Sequence, residues 1–364
     1  MSSHAFRFAT CLALLVLAGT VVAAAERIPV KVIVLAGFEV GNDIGDAPGE
    51  LQFWVEREGL TQQETILKID HPLCHNAQGL YALVGGNTRD NDLSASRISE
   101  LITALCLDPR YDFSKTYWLI DGIAGLDPAV GSIGSAAWAE NVVNGDAMRE
   151  VDDRDIPGWP FGLFAIGTKA PNELPGVTPE AGGGWGGEQP VYSMNRPLNA
   201  GLARWAHSIS KDVVIPDSPE LAAFRKRYTN YPAAQLPPSV IMGDALGSMR
   251  YWHGQSRTEW ARGWVKMWTK GKGVFATTSM EAQTYADVLH HMAEEGKVDF
   301  SRVMVLRTGA NYCLPPPGTS IMVTMGDETL GTNVSLESAY RVGAAVAHEL
   351  LAHWDRYENA IPAK

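Results

Sequence analysis

The segment that most constrains the fold of this chain is residues 116–146, TYWLIDGIAGLDPAVGSIGSAAWAENVVNGD. Its opening residues, Tyr117 to Ile120, are apolar and β-prone, which predicts a strand covered on both faces. The small residues of Gly122-Ile123-Ala124-Gly125 predict a tight turn next, and a second, weaker strand follows at residues 133–143. Such a turn after a buried strand is typical of ligand sites in α/β proteins. It also occurs in α/β domains as a plain connection, so the segment alone leaves both interpretations open.

Apolar strands alternate with amphipathic helices along the rest of the chain. The further strands predicted are residues 31–36, 80–84 and 303–306, and the main helices predicted are residues 50–58, 94–106, 218–228, 278–295 and 335–357. Ser94 is the predicted cap of the helix at residues 94–106. This alternation predicts a single α/β domain over residues 26–364, with a central, mixed, twisted sheet flanked by helices. Four tryptophans at roughly helical spacing (Trp252, Trp260, Trp264 and Trp268) predict a helix that packs in the core.

The N-terminus has the pattern of a signal peptide. Arg7 precedes an apolar run at residues 11–22, which is too short to span a membrane, and small residues follow at 23–25. We therefore expect residues 1–25 to be removed and the mature chain to be exported, to the periplasm, without a spanning segment. The net charge of −11 argues against nucleic acid as a partner.

Three cysteines remain after the predicted cleavage site: Cys74, Cys106 and Cys313. An oxidising compartment would permit one disulfide bond, whereas three buried thiols fit the sequence equally well. Neither histidine-rich segment has the spacing of a metal site. His348 and His353 are five residues apart and point to different helix faces, and the proline in His71-Pro72-Leu73-Cys74-His75 disfavours a helix. We predict no metal and no cofactor.

Several motifs then occur in a fixed order: YWLIDGIAGLDPAVGSIGS, DDRDIPGW, RYWHG, the region of residues 277–281, VLRTGANYCLPP, and Trp354-Asp355. In this order the chain resembles the nucleoside phosphorylase superfamily. It more closely resembles the purine nucleoside permease family, a phosphorylase-related group of fungi and bacteria. The resemblance covers nearly all of the mature chain. It implies a phosphorylase-like fold, a purine nucleoside as ligand, and a homo-oligomer.

The resemblance implies which residues hold the nucleoside. It assigns Glu281 to the ribose hydroxyls, because carboxylate oxygens accept hydrogen bonds from a diol, and it packs Met280 against the sugar. The local sequence offers another interpretation, in which Thr278-x-x-Glu281 is a capping box at a helix start. Asn311 matches the residue that meets the purine base, although Ala310 replaces the serine usual before it. Arg307 is expected to anchor this segment or to serve the structure alone.

Main-chain positions at strand ends complete the implied binding set: Gly37, Ala124 and Gly125. His253 is a candidate base or sugar contact, and a hydrogen-bonded core histidine is the competing interpretation.

The group that attacks the sugar is left open by the sequence. Phosphorylases bind phosphate through glycine amides and cations, so Gly85, Gly86, Asn87 and Thr88 with Arg89 would accept phosphate as co-substrate. Hydrolases of the same fold use a carboxylate to activate water. Glu50 is the candidate for that role, in competition with the nearby acids Glu39, Asp43 and Asp46.

Two function classes follow from the resemblance. The first is an exported enzyme that cleaves the N-glycosidic bond of purine nucleosides, as a phosphorylase or a hydrolase. The second is a non-catalytic protein that captures nucleosides for transmembrane uptake. A scaffold with an inactive site is a third, less informative interpretation.

Overall fold

A computed structural model describes residues 26–87, 94–175, 193–325 and 329–364. The predicted signal peptide, residues 1–25, and the predicted phosphate contacts Thr88 and Arg89 lie outside these ranges. Within them the chain forms a large mixed sheet flanked by helices, so the predicted fold class is confirmed.

The strands are numbered in chain order. They are β1 (Ile28–Pro29), β2 (Val32–Ala36), β3 (Gln62–Glu64), β4 (Leu73–His75), β5 (Leu80–Val84), β6 (Tyr111–Asp112), β7 (Tyr117–Leu126), β8 (Ala136–Trp138), β9 (Asn141–Asn144), β10 (Arg149–Glu150), β11 (Leu163–Phe164), β12 (Asn195–Pro197), β13 (Val240–Met242), β14 (Asp244–Gly247), β15 (Phe275–Ser279) and β16 (Val303–Tyr312).

The helices are numbered in the same way. They are α1 (Gln52–Arg57), α2 (Ala95–Leu107), α3 (Ala200–Ser210), α4 (Pro219–Arg225), α5 (Gln255–Trp268), α6 (Ala282–Glu294), α7 (Ile321–Thr324), α8 (Thr329–Ala352) and α9 (Trp354–Tyr357). None of the helices in the described ranges is both long enough and apolar enough to cross a membrane.

The long strand β7 organises the central sheet. It pairs in parallel with β2 and with β16, and its last residues pair antiparallel with β15. From β2 the sheet continues through β5, β4 and β3, and from β15 it continues through β14, β9 and β12. Parallel and antiparallel neighbours therefore share one sheet, and the carboxyl ends of β2, β7 and β16 lie side by side.

The two faces of the sheet bury different apolar clusters because successive strand residues point to opposite sides. Val34 and Leu119 pack with Trp54 of α1 and with α8 on one face. Leu35 and Ile120 pack with α2 and α6 on the other face. The predicted tryptophan helix is α5, whose three tryptophans are buried in a separate cluster, as expected for core packing.

The predicted turn after the first part of β7 is strand instead, and β16 also extends beyond its predicted end. We expected β7 to end before Gly122 and β16 to end before Arg307, and both strands continue for several residues. The extensions pair with each other in parallel, with Arg307 opposite Gly122 and Asn311 opposite Gly125. Backbone hydrogen bonds between segments far apart in sequence thus override the local preference of glycine for turns.

The predicted helix at residues 278–295 begins later than expected. Thr278 lies in strand β15, and Glu281 is the residue before α6, with no side-chain capping hydrogen bond. The capping-box interpretation of Thr278 and Glu281 is therefore wrong, because pairing with β14 and β7 holds Thr278 in the sheet. By contrast, the predicted cap of α2 is confirmed, since the side chain of Ser94 accepts a hydrogen bond from the Arg97 amide.

The cysteines are not bonded to one another. Cys74, Cys106 and Cys313 are all free and buried, which supports the second of the two interpretations of the sequence. Burial raises the pKa of the Cys106 thiol to about 12, so this thiol stays protonated at neutral pH.

Candidate functional site

A cavity of about 280 Å³ opens where β2, β7, β15 and β16 end. Its wall combines residues from the strand ends with side chains from the segments that precede α5 and α6. The residues that line the cavity include Gly37, Phe38, Glu50, Ile123, Ala124, Gly125, Arg250, Tyr251, Trp252, Met280, Glu281, Asn311 and Cys313. The predicted site residues Gly37, Glu50, Ala124, Gly125, Met280, Glu281 and Asn311 thus face one cavity.

Glu50 is held by two backbone amides. Its Oε1 accepts a hydrogen bond of 2.6 Å from the Ile123 amide, and its Oε2 accepts one from the Gly37 amide. Neither neighbouring glycine could carry a side chain. A Cβ on Gly122 would lie 2.3 Å from Glu50 Oε1, and a Cβ on Gly37 would lie 2.8 Å from Glu50 Oε2. The small residues after the first part of β7 therefore make room for a carboxylate of the protein itself.

Glu50 has a strongly perturbed ionisation. Burial and, to a smaller extent, the nearby Glu281 carboxylate together raise its pKa from 4.5 to about 8, against the opposing effect of Arg307 and the two amides. A carboxyl group with a pKa near neutrality can exchange a proton with a reactant, which is the property expected of a general acid or base.

The acids that competed with Glu50 are engaged elsewhere. Glu39 accepts hydrogen bonds from the amides of Leu51 and Gln52, at 2.9 and 2.7 Å, and so caps the start of α1. Asp43 Oδ1 lies 2.7 Å from His71 Nδ1, and Asp46 accepts a bond from the Asn42 amide. Glu50 is the one member of this group of four acids that lines the cavity.

Glu281 forms an ion pair with Arg307. Glu281 Oε1 contacts Arg307 Nη1, and Arg307 lies behind it, 0% exposed and outside the cavity lining. The pairing fixes one oxygen of Glu281 and balances its charge. Within the described residues, Nε and Nη2 of Arg307 have no hydrogen-bond partner. The ion pair therefore anchors Glu281 rather than leaving Arg307 free to bind ligand directly.

A further buried acid lies beneath the site. Asp121 accepts a hydrogen bond of 3.1 Å from the indole nitrogen of Trp54, which belongs to the helix that follows Glu50. Burial raises the pKa of Asp121 to about 6, while the Trp54 hydrogen bond and Arg307 act to lower it. This contact ties α1 to β7 and so helps to fix the backbone that carries Glu50.

Besides Arg307, four predicted site residues in the described ranges do not line the cavity. Gly85 and Gly86 face the protein interior: a Cβ on Gly85 would lie 2.7 Å from the Tyr285 hydroxyl. Asn87 exchanges two hydrogen bonds with the backbone of Glu39, at 3.1 and 2.9 Å. His253 Nε2 lies 2.8 Å from Thr324 Oγ1. This contact fits the interpretation of His253 as a hydrogen-bonded structural histidine rather than a base or sugar contact.

Gly86 is expected to be indispensable for packing. A Cβ at this position would lie 1.9 Å from the carbonyl oxygen of Gly37, a backbone atom that cannot rotate away. We expect Gly86→Ala to lower the free energy of unfolding by about 1–3 kcal/mol, measured by urea denaturation.

Gly131→Ala is the matched control, since the nearest atom to its Cβ would be the flexible end of Ile241, at 3.1 Å. Equal urea midpoints for Gly86→Ala and the unmodified protein would contradict this account of the close approach between Gly86 and Gly37.

Sequence reasoning missed the aromatic part of the cavity. Phe38, Tyr251 and Trp252 line it together with Cys313, and Trp252 also packs in the apolar cluster of the α5 tryptophans, as predicted. The signal was present in the RYWHG motif, but the sequence does not indicate that Trp252 precedes α5 instead of belonging to it. Aromatic faces beside polar groups suit a flat, partly apolar ligand.

The curated relatives that match this chain in sequence share one family name. A protein of Schizosaccharomyces pombe named "probable purine nucleoside permease" is 27% identical over 288 residues, which are 77% of this chain and 78% of that protein. The purine nucleoside permease of Candida albicans is 29% identical over 285 residues, which are 77% of this chain and 66% of that protein. This chain thus spans slightly less than two thirds of the Candida protein.

Among solved structures, a 5′-methylthioadenosine/S-adenosylhomocysteine nucleosidase from Neisseria meningitidis matches with a TM-score of 0.49 and 11% identity. The match covers 88% of this chain and 100% of that one. Futalosine hydrolase of Helicobacter pylori matches with a TM-score of 0.46 and 15% identity, over 88% and 99% of the two chains.

The family assignment rests on a match over nearly the whole chain. The family model described as purine nucleoside permease (NUP) covers residues 29–362, which include every residue of the cavity. This chain belongs to the purine nucleoside permease family.

Proposed function

We propose that this protein binds purine nucleosides in the cavity and hydrolyses their N-glycosidic bond. The observation that carries the proposal is the pair of buried carboxylates, Glu50 and Glu281, on one cavity of about 280 Å³. Bond cleavage at a sugar carbon builds positive charge on the ring, and two carboxylates are the usual means of supporting it. The relatives named purine nucleoside permease suggest the substrate class.

Water suits this site better than phosphate does as the attacking group. The amides of Gly37 and Ile123, which could otherwise bind an anion, already donate to Glu50. Arg307 is paired with Glu281, and Arg250 lies 3.3 Å from Glu150. A phosphate dianion here would lie beside two acidic side chains without a free cation among the described lining residues to balance its charge.

The residues divide the work as follows in this proposal. Glu50 in its ionised form accepts a proton from the attacking water. Glu281, held by Arg307, accepts hydrogen bonds from the ribose hydroxyls, and Met280 packs beside the sugar. Asn311, whose amide nitrogen donates to the Tyr312 carbonyl at 3.2 Å, keeps its side-chain oxygen to accept a hydrogen bond from the purine. An amide cannot supply a proton as an acid, so the leaving purine takes its proton from water.

A second candidate is nucleoside capture without cleavage. The uncharged Asn311 favours it, because this side chain cannot act as an acid on the base, and the names of the relatives point to uptake. The proposal also includes export to the periplasm through residues 1–25 and assembly as a homo-oligomer. Both rest on the sequence pattern and the resemblance.

The experiment that tests the proposal is incubation of the protein with inosine, adenosine and guanosine, with and without phosphate, followed by chromatography. Free base and free ribose without phosphate are the expected products. Ribose 1-phosphate formed only with phosphate would make the protein a phosphorylase and overturn the assignment of Glu50. Calorimetric binding without any cleavage would support the capture protein instead.

A further inference from the structure

A cluster of metal-ligand side chains lies at the far end of α6 from the cavity. His290, His291 and Glu294 can each bring one ligand atom to within 4.8 Å of the other two. His290 Nδ1 lies 3.9 Å from Glu294 Oε1, one helical turn away. Glu294 follows His290 by four residues and His291 by three, so its carboxylate can reach both rings.

The ring of His290, which is partly buried, is held against the body of the protein. The ring of His290 packs edge-on against Phe300, with ring centroids 5.1 Å apart. Its Nδ1 is buried and, in the part of the chain that the structure describes, has no hydrogen-bond partner. A buried ring nitrogen with an unused lone pair costs free energy unless a donor or a metal ion satisfies it.

The helix end itself favours a cation here. The three residues lie at the C-terminal end of α6, where the carbonyl groups carry the negative end of the helix dipole. Neutral imidazoles carry no charge, so Glu294 is the residue of the three that supplies a negative charge to a cation. Two imidazoles and a carboxylate are the ligands that zinc and its neighbours in the first transition row prefer, whereas calcium and magnesium prefer oxygen ligands alone.

We propose that His290, His291 and Glu294 form a surface site for a divalent transition-metal ion, with zinc as the representative, and that solvent completes its coordination. Tetrahedral ligands about 2.1 Å from zinc lie about 3.4 Å apart, so the side chains must approach each other by about an ångström. Glu294, with 66% of its side chain exposed, can rotate toward the rings without disturbing the core. The sequence gives no metal motif for this cluster, because adjacent residues of an ideal α-helix point in different directions around its axis.

The test is isothermal titration calorimetry, in which zinc chloride is added to the untagged protein at neutral pH. We expect one saturable site and a rise in the unfolding temperature with zinc concentration, because an ion that binds only the folded state stabilises it. His291→Ala and Glu294→Gln should each weaken zinc binding by at least about tenfold. Acidic buffer should abolish binding, since protonated imidazoles cannot bind a metal.

His353→Ala is the matched control. His353 Nδ1 lies 3.2 Å from Glu349 Oε1, so this surface pair has the same i, i+4 spacing but no adjacent second histidine. The control variant should bind zinc as the unmodified protein does. Absence of a saturable site, or unchanged affinity in His291→Ala, would overturn the proposal. The site is independent of nucleoside cleavage, so neither result bears on the proposed function.

Discussion

Replacing Glu281 with alanine is expected to lower the free energy of unfolding by about 3–5 kcal/mol and to abolish nucleoside binding. The loss of stability follows because the guanidinium of Arg307, fully buried, would lose its ion-pair partner. The loss of binding follows from the proposed role of Glu281 as acceptor for the ribose hydroxyls. Urea denaturation measures the first effect, and calorimetry with inosine measures the second.

A double variant separates the two effects. Glu281→Leu with Arg307→Met removes both charges, and replacing a whole buried ion pair by apolar side chains is often neutral or even stabilising. The double variant should therefore recover most of the stability lost in Glu281→Ala while still failing to bind inosine. Recovery of binding together with stability would mean that Glu281 acts only through the fold. Unchanged stability in Glu281→Ala would mean that Arg307 finds another partner.

The secondary structure near the site shows what local sequence could predict. Strand β5 and the Ser94 cap of α2 matched their predictions because an apolar run bounded by glycine, and a serine before an amphipathic segment, are local signals. The extensions of β7 and β16 were not predictable in this way. Each extension is held by hydrogen bonds to the other one, and the paired residues lie more than 180 positions apart in the chain.

For the site, too, the sequence predicted some features, whereas others depend on contacts between residues distant in the chain. Glu50 and Glu281 were predicted as candidates from the resemblance, and both line the cavity. Their chemical state depends on contacts that no local pattern contains, since Glu281 pairs with Arg307 and Glu50 binds the amide of Ile123, 73 residues away. Gly85 and Gly86 looked like a phosphate loop by composition, whereas their lack of side chains serves the packing against Tyr285 and Gly37.

Replacing Glu50 with glutamine is expected to reduce turnover by about 10²–10⁴-fold while leaving nucleoside binding within a few-fold of normal, because it removes a general base and keeps the shape of the side chain. The pH profile should change as well. Since the pKa of Glu50 is about 8 and the base must be ionised, turnover should rise with pH up to about 8. The residual turnover of Glu50→Gln should lack this rise.

The stability of the protein tests the same ionisation without any substrate. Between pH 4.5 and about 8 the unfolded chain ionises Glu50 while the folded chain keeps the proton, so the free energy of unfolding should fall as the pH rises through this window. Glu39, Asp121 and Asp244 also have raised pKa values and contribute to the slope in both proteins. The difference between the unmodified protein and Glu50→Gln therefore isolates Glu50, and the variant should gain relative stability toward pH 8. Parallel stability curves would show that Glu50 ionises normally. Glu50 would then already be ionised at neutral pH, and a rise of turnover toward pH 8 would have to come from the ionisation of another group.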